Sequence, residues 1–259
     1  MSENWYEIKV GENGYKYVNR FSVNAVFHMS EGNEKVGKVA CYNLPIEYTC
    51  NHNCECYKKG LCYACGGCYQ YGSNQKKYSE NLNFFLNNDE TTIAIEIVKY
   101  IKAGKYNLCR YFTCGDIPNT KFIRIMIKVA VMLPDVKFWA YTKKYNLINR
   151  FVAENGLEAI PENLHIVFSH WMNENGTYYN MLNPYIFPTS EFIPFGMEEL
   201  TKNVTFICPC SDPTVKSHCD TCEHGCYNLK HGESMALLEH STKATRKRDR
   251  EIKAAKNLL

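Results

Sequence analysis

Residues 91–142, TTIAIEIVKYIKAGKYNLCRYFTCGDIPNTKFIRIMIKVAVMLPDVKFWAYT, decide the fold. Ile93, Ile97, Val98 and Ile101 recur at helical spacing over Thr91–Ala103, and Gly104 closes that helix. Leu108–Thr113 reads as a short strand. Asp116 is placed to cap a second helix with Pro118 in its first turn, and Pro134 stops it just past Leu133. Val136–Tyr141 is the next strand. Helices alternating with strands in units of about thirty residues predict βαβ crossovers and a parallel sheet.

Working outward, Tyr145–Asn155 is a helix, and Asn163–Ser169 and Asn203–Ile207 are strands. Upstream, Lys35–Tyr42 is a strand running into Asn43-Leu44-Pro45. Before it, turns at Gly11, Gly14 and Gly32 break short strands. The whole predicts a single α/β domain over 1–259 with a partial or complete (β/α) barrel-like parallel sheet, an open doubly wound sheet being the other form. Both place chemistry at the C-terminal strand ends. Cys114-Gly115-Asp116, Thr142-Lys143, Ser169-His170-Trp171 and Cys208-Pro209-Cys210 each follow a strand. A metal site at those strand ends is therefore expected, with both cysteine groups on one face.

The chain has 14 cysteines in 259 residues, most of them in two stretches. The first holds Cys50, Cys54, Cys56, Cys62, Cys65 and Cys68, and the second Cys208, Cys210, Cys219, Cys222 and Cys226. Thiolates are soft ligands, and a Cys-x-x-Cys turn aims two of them at one ion with little loop to order. Disulfides compete with this reading. Against them, Met1–Val10 carries no apolar secretory segment, and a chain this long buries a core without staples. Cys-x-x-Cys pairs are also too close to bridge comfortably outside redox-active folds. A reducing, cytoplasmic setting is expected.

Cys62-x2-Cys65-x2-Cys68 has the spacing of the ferredoxin ligand run. Cys208, Cys219, Cys222 and Cys226, with His218, His224 and His231 nearby, have enough donors for zinc unaided. More thiols than two zinc sites require favour an iron–sulfur cluster, four-iron (4Fe-4S) or three-iron (3Fe-4S), over a pair of zinc knuckles. Cys114 is a candidate extra ligand, while Cys41 and Cys109 read as small buried hydrophobes.

The order Asn43-Leu44-Pro45, Thr49-Cys50, Cys62-Tyr63-Ala64, Arg110 to Asp116 and Ala140-Tyr141-Thr142-Lys143 resembles the phage gene product 88 family. Cys208-Pro209 and Cys219-x2-Cys222-x3-Cys226-Tyr227 resemble that family's closing motif. The resemblance implies a viral or prophage protein that binds an iron–sulfur cluster, and it carries no activity with it. The extra cysteines of the first group depart from the simpler family pattern. A weaker resemblance is to radical S-adenosylmethionine enzymes. Cys50-x3-Cys54-x-Cys56 falls one residue short of their cysteine triplet. Gly115 and Asp116 stand where those enzymes hold the cofactor's amino group. The spacing disfavours S-adenosylmethionine as a cofactor.

Asp116, Lys143 and His170 are the candidate catalytic residues for a small molecule bound at the strand ends. Each has a plainer reading, as a helix cap, an exposed lysine and a rim residue. The basic helix expected over 241–258, with Arg246, Lys247, Arg248 and Arg250, invites a nucleic-acid partner. Asp249 and Glu251 interrupt the run, so a solvated face is the favoured reading. Net charge is +3 with neutral cysteines. One four-thiolate centre would bring it to about +1 and two to about −1, so whole-chain charge does not argue for nucleic acid. The most apolar run, Phe122–Leu133, is too short to span a bilayer, and no membrane partner is expected. The expected function is redox: electron transfer to a partner, or cluster-dependent chemistry on a small molecule. The alternative is a zinc-stabilised binding module.

Overall fold

The computed structural model describes residues 5–10, 16–21, 24–33, 36–50, 55–58, 62–171, 181–194, 201–202, 204–212 and 215–239. Strands β1 (Trp5–Val10) and β2 (Lys16–Phe21) pair antiparallel as a separate two-stranded sheet. The main sheet has seven strands: β3 (Ala40–Tyr42), β4 (Leu108–Tyr111), β5 (Lys137–Thr142), β6 (Leu164–Trp171), β7 (Thr189–Ile193), β8 (Phe206–Ile207) and β9 (Ser234–Leu238). Their order is β3-β4-β5-β6-β7-β9-β8, and every neighbouring pair is parallel.

The sheet is open. β3, with three residues, and β8, with two, lie at opposite edges. Strands this short leave few ladder bonds with which to close a cylinder, so the complete barrel gives way to an open sheet wound largely in sequence order.

Three of the crossovers behave as the periodicity predicts. α4 (Glu90–Gly104), α5 (Thr120–Met132) and α6 (Tyr145–Asn155) each bury an apolar stripe against one face of the sheet. That face presents Tyr42, Tyr111, Phe138, Ala140, Ile166 and Phe168, and Phe122 of α5 sits at its centre. The Phe122 ring lies 4.9 Å from Phe112, 5.5 Å from Tyr42 and 5.9 Å from Tyr111. α1 (Ile46–Thr49) and α2 (Glu55–Lys58) are single turns beside the first cysteine group. α3 (Gly72–Asn87), which the sequence did not announce, turns inward a largely polar set that includes Gln75, Ser79, Glu80 and Asn81.

Helix ends differ from expectation in two places. Asn119, not Asp116, caps α5, its side chain accepting from Phe122 N–H at 3.3 Å. Gly104 is the last residue of α4, and the left-handed cap is Lys105 (φ 50°). A Cβ on Gly104 would stand 2.0 Å from the Tyr106 ring, so glycine is needed there for room rather than for a turn.

The opposite face carries Cys41, Arg110, Trp139 and His165 in one cross-strand row. Tyr141, Val167 and Met235 continue that face toward β9. No helix covers it among the described residues. The crossover from β8 to β9 lies there instead, built from three 3-10 turns at Pro209–Ser211, Cys219–Thr221 and Cys226–Asn228. His165 contacts this crossover, its Nδ1 3.1 Å from the Leu229 carbonyl.

Truncating Phe122 to alanine is expected to cost about 3–5 kcal/mol, read by denaturant unfolding. Burial holds His165 below the ordinary imidazole value, opposed by the Leu229 hydrogen bond and aided by Lys137. The depressed folded value means that the stability tied to neutral His165 is complete above the unfolded value of about 6.5. It is lost as pH falls from there through the folded value. His165→Gln is expected to flatten that part of the stability–pH curve, and a curve of unchanged slope would remove His165 from it.

Candidate metal centre

The loops leaving β3, β4 and β5 are tied to one another by side chains from three sequence motifs. Asn43 Oδ1 accepts from Thr113 Oγ1 at 2.7 Å and from Cys114 N–H at 2.9 Å. Thr49 Oγ1 accepts from Asp116 N–H at 3.0 Å and donates to the Pro45 carbonyl at 2.9 Å. Asp116 Oδ1 accepts from Thr142 Oγ1 at 2.6 Å and from Ile117 N–H at 2.7 Å, while Oδ2 accepts from Lys143 N–H at 3.0 Å. Burial pushes the Asp116 carboxyl above its ordinary value, against those three hydrogen bonds. Both its oxygens are engaged in bracing loops. Gly115, at φ +93°, passes so close to the Leu44 carbonyl that a Cβ would lie 2.5 Å from the oxygen. Phe112 also has positive φ (62°), held by its N–H bond to the Tyr42 carbonyl.

This brace positions the first thiol group. Cys50, Cys62, Cys65 and buried Cys114 pack together with Ile46, Ala64 and Tyr78. The Cys62 thiol bonds to those of Cys56 and Cys65. The Cys56 bond pulls Cys62 down, but the Cys65 bond and burial outweigh it and leave it pushed up to about 12. Cys68 is exposed at the rim of this group. Cys54 lies outside the described residues.

The second thiol group packs over the sheet face opposite the helices, against Cys41, Trp139, Val167 and Met235. Hydrogen bonds from Cys208 and then Cys219 hold the Cys210 sulfur well below the ordinary thiol value and raise those two partners. Burial pushes Cys226 up to about 11, against a hydrogen bond with the Tyr141 hydroxyl. Cys222 accepts from Gly225 N–H at 3.5 Å. Tyr227 fixes the segment to the sheet. Its ring is 5.3 Å from Trp139, and its hydroxyl donates to the carbonyls of Cys219 and Cys222 at 3.2 and 3.3 Å. His224 stacks on Phe206 at 4.8 Å, and His231 Nδ1 is 2.9 Å from the Tyr185 carbonyl.

Every described cysteine is a free thiol. Among the described residues, no three Cys, His, Asp or Glu side chains surround a common point closely enough to hold a metal ion. The sulfurs meet as thiol–thiol hydrogen bonds instead. The donor chemistry on each side fits a thiophilic centre, with several sulfurs gathered in each group; Cys109 is buried on the helical face apart from both sets, while Cys41 shares a cluster with Cys219 and Cys226.

The remaining expected residues are divided between two faces. Lys143 Nζ donates to Ser169 Oγ at 3.2 Å and lies 5.2 Å from the Trp171 ring, within electrostatic reach of Cys62. His170, between Ser169 and Trp171, points to the other side of β6, where Nδ1 is 2.9 Å from Glu191 Oε2. Asp116 and Lys143 are thus joined, and His170 is not part of their group. Sequence reasoning did not include Cys210 among the ligands, although Cys208-Pro209-Cys210 carries it. It also passed over Arg110, whose surroundings come from distant segments. The basic helix over 241–258 lies outside the described residues.

Fold and site together define an open-sheet α/β protein with two separate thiol-rich segments, one beside the loops leaving β3 and β4 and one over the sheet face opposite the helices. A sequence model of the family described as Gene product 88 matches residues 28–190, more than half of the chain, and the protein belongs to that family. The matched residues contain the first thiol group and the loop brace and end before the second thiol group. No curated protein and no solved structure matches the chain.

Asp116→Ala strips the acceptor from three donors and is expected to cost about 3 kcal/mol or more, with Asp116→Asn milder. Gly115→Ala is expected to cost more than about 1 kcal/mol, because the left-handed backbone and the Leu44 carbonyl both oppose a Cβ. Chemical denaturation of the three variants checks both.

Proposed function

We propose that this is an iron–sulfur protein of viral or prophage origin that works in the reducing cytoplasm of a host. Its role is redox: electron transfer, or cluster-dependent chemistry on a small molecule at the C-terminal edge of the sheet. Cys56, Cys62 and Cys65 would hold a cluster, with Cys50, Cys54 and Cys68 as the neighbouring donors. Cys208, Cys210, Cys219 and Cys226 would hold a second centre, with Cys222 beside it. A bound cluster supplies one-electron exchange. The chain supplies thiol donors in surroundings kept apolar by Ala64, Tyr78, Trp139 and Val167, which favour a definite potential.

The observation that carries the reading is the gathering of disulfide-free sulfurs at two places, Cys50, Cys62, Cys65 and Cys114 at one and Cys208, Cys210 and Cys226 at the other. Buried thiols gain little from contact with one another, whereas a thiophilic centre uses all of them. Lys143 lies near Cys62 and Ser169, where an anionic small molecule would meet an ammonium. A second reading, a zinc-stabilised binding module, draws on the second group alone. Its four thiols suffice for tetrahedral zinc.

The test is iron, zinc and acid-labile sulfide per chain on protein purified without oxygen, with visible and EPR spectra. Iron with matching sulfide is expected, falling sharply in Cys62→Ser/Cys65→Ser. Zinc with neither iron nor sulfide would replace the redox reading by the binding module. Full metal retention in both that variant and Cys219→Ser/Cys226→Ser would overturn the ligand assignment.

A further inference from the structure

Arg110 sits on the inner face of β4 between Cys41 and Trp139 of the neighbouring strands. The residue keeps partial exposure, but its Nε is sealed from solvent and has no hydrogen-bond partner among the described residues. No ion pair joins it to a described carboxylate. Its guanidinium lies 5.1 Å from the Tyr141 ring. Cys219 and Cys226 of the second thiol segment pack on the cluster of Cys41 and Trp139 that flanks Arg110 in the strand row, and Tyr63 and Tyr69 of the first lie within electrostatic reach of its charge. Strand alternation fixes this orientation, since Cys109 and Tyr111 on either side face the helices.

Packing on an aromatic ring does not account for such a placement. A cation–π contact offsets only part of the cost of withdrawing one edge of a charged group from water. A cation whose Nε is sealed from water, with no described carboxylate beside it, calls for another anion, and the acidic groups within its electrostatic reach are thiols and phenols. Four thiolates around a divalent metal, or around an oxidised four-iron cluster, carry a net charge of about −2.

We infer that Arg110 is the counter-charge of the second thiol centre, a positioning residue that holds the Cys219 and Cys226 side of a metal–thiolate site against the sheet. The inference rests on the proposed metal binding and goes beyond it, because it assigns to a strand residue outside both cysteine segments the neutralisation of the centre. Tyr141 connects the two, with its ring beside Arg110 and its hydroxyl on Cys226.

The test uses the full chain as purified, with residual metal per chain followed in excess EDTA. Arg110→Met keeps the bulk and removes the charge, and Arg110→Lys keeps the charge. The metal absent from Cys219→Ser/Cys226→Ser identifies the second centre. Arg110→Met is expected to release that metal about tenfold faster, as loss of an outer-shell partner does, with Arg110→Lys close to wild type. Should the centre contain iron, Arg110→Met lowers its midpoint potential and Arg110→Lys does not. Equal release by wild type and Arg110→Met, or equal loss in both variants, overturns the counter-charge while leaving the metal reading intact. A wild-type chain whose metal content is the same as that of Cys219→Ser/Cys226→Ser overturns both.

Discussion

The Asp116 carboxylate is the constraint on which the working edge of this molecule depends. It lies buried, and it accepts from its own loop and from both Thr142 and Lys143 of the next. Its own N–H reaches Thr49 in the loop after β3. Three successive strand exits thus share one polar knot. A buried carboxylate is costly unless its lone pairs are filled, and here the loops themselves fill them. The first thiol group inherits its place from that knot, because Cys50 directly follows Thr49 and Cys114 stands two residues before Asp116.

The two faces of the sheet divide the labour. One is a conventional apolar surface against α4, α5 and α6, with Phe122 as its hub. The other is roofed by a cysteine-bearing crossover and carries an arginine where a hydrophobe would be ordinary. His170 and Lys143 illustrate the division. Both stand toward the C-terminal ends of neighbouring strands, but they serve opposite sides of the sheet.

Much of the helical face could be read in advance. The stripes of α4, α5 and α6 and the strands between them repeat at clean periods, and α6 falls over Tyr145–Asn155 as expected. α3 could not be read because its inward face is polar: Asn81 bonds the carbonyls of His28 and Asn43, and Glu80 pairs with His28 at 2.6 Å. Hydrophobic periodicity is blind to such a helix. β9 is short, and nothing local says that it enters the sheet between β7 and β8. The cysteine groups were visible as groups, but Arg110 stood only as the first residue of a motif with no stated task. Its burial depends on a segment more than a hundred residues further on. The brace residues Asn43, Thr49 and Thr142 were legible only as motifs without a stated task.

The β8–β9 crossover has a consequence for how the chain folds. Every helical crossover carries its own backbone hydrogen bonds, whereas this one has isolated 3-10 turns and about 25 residues to close. Joining its ends costs on the order of 3 kcal/mol in chain entropy before any strand bond is gained. Among the described residues, β9 is the only strand that links β8 to the rest of the sheet. The proposed second centre, by joining the sulfurs of this segment, would couple metal binding to the docking of the last two strands and make the far edge of the sheet a late, conditional unit of the fold.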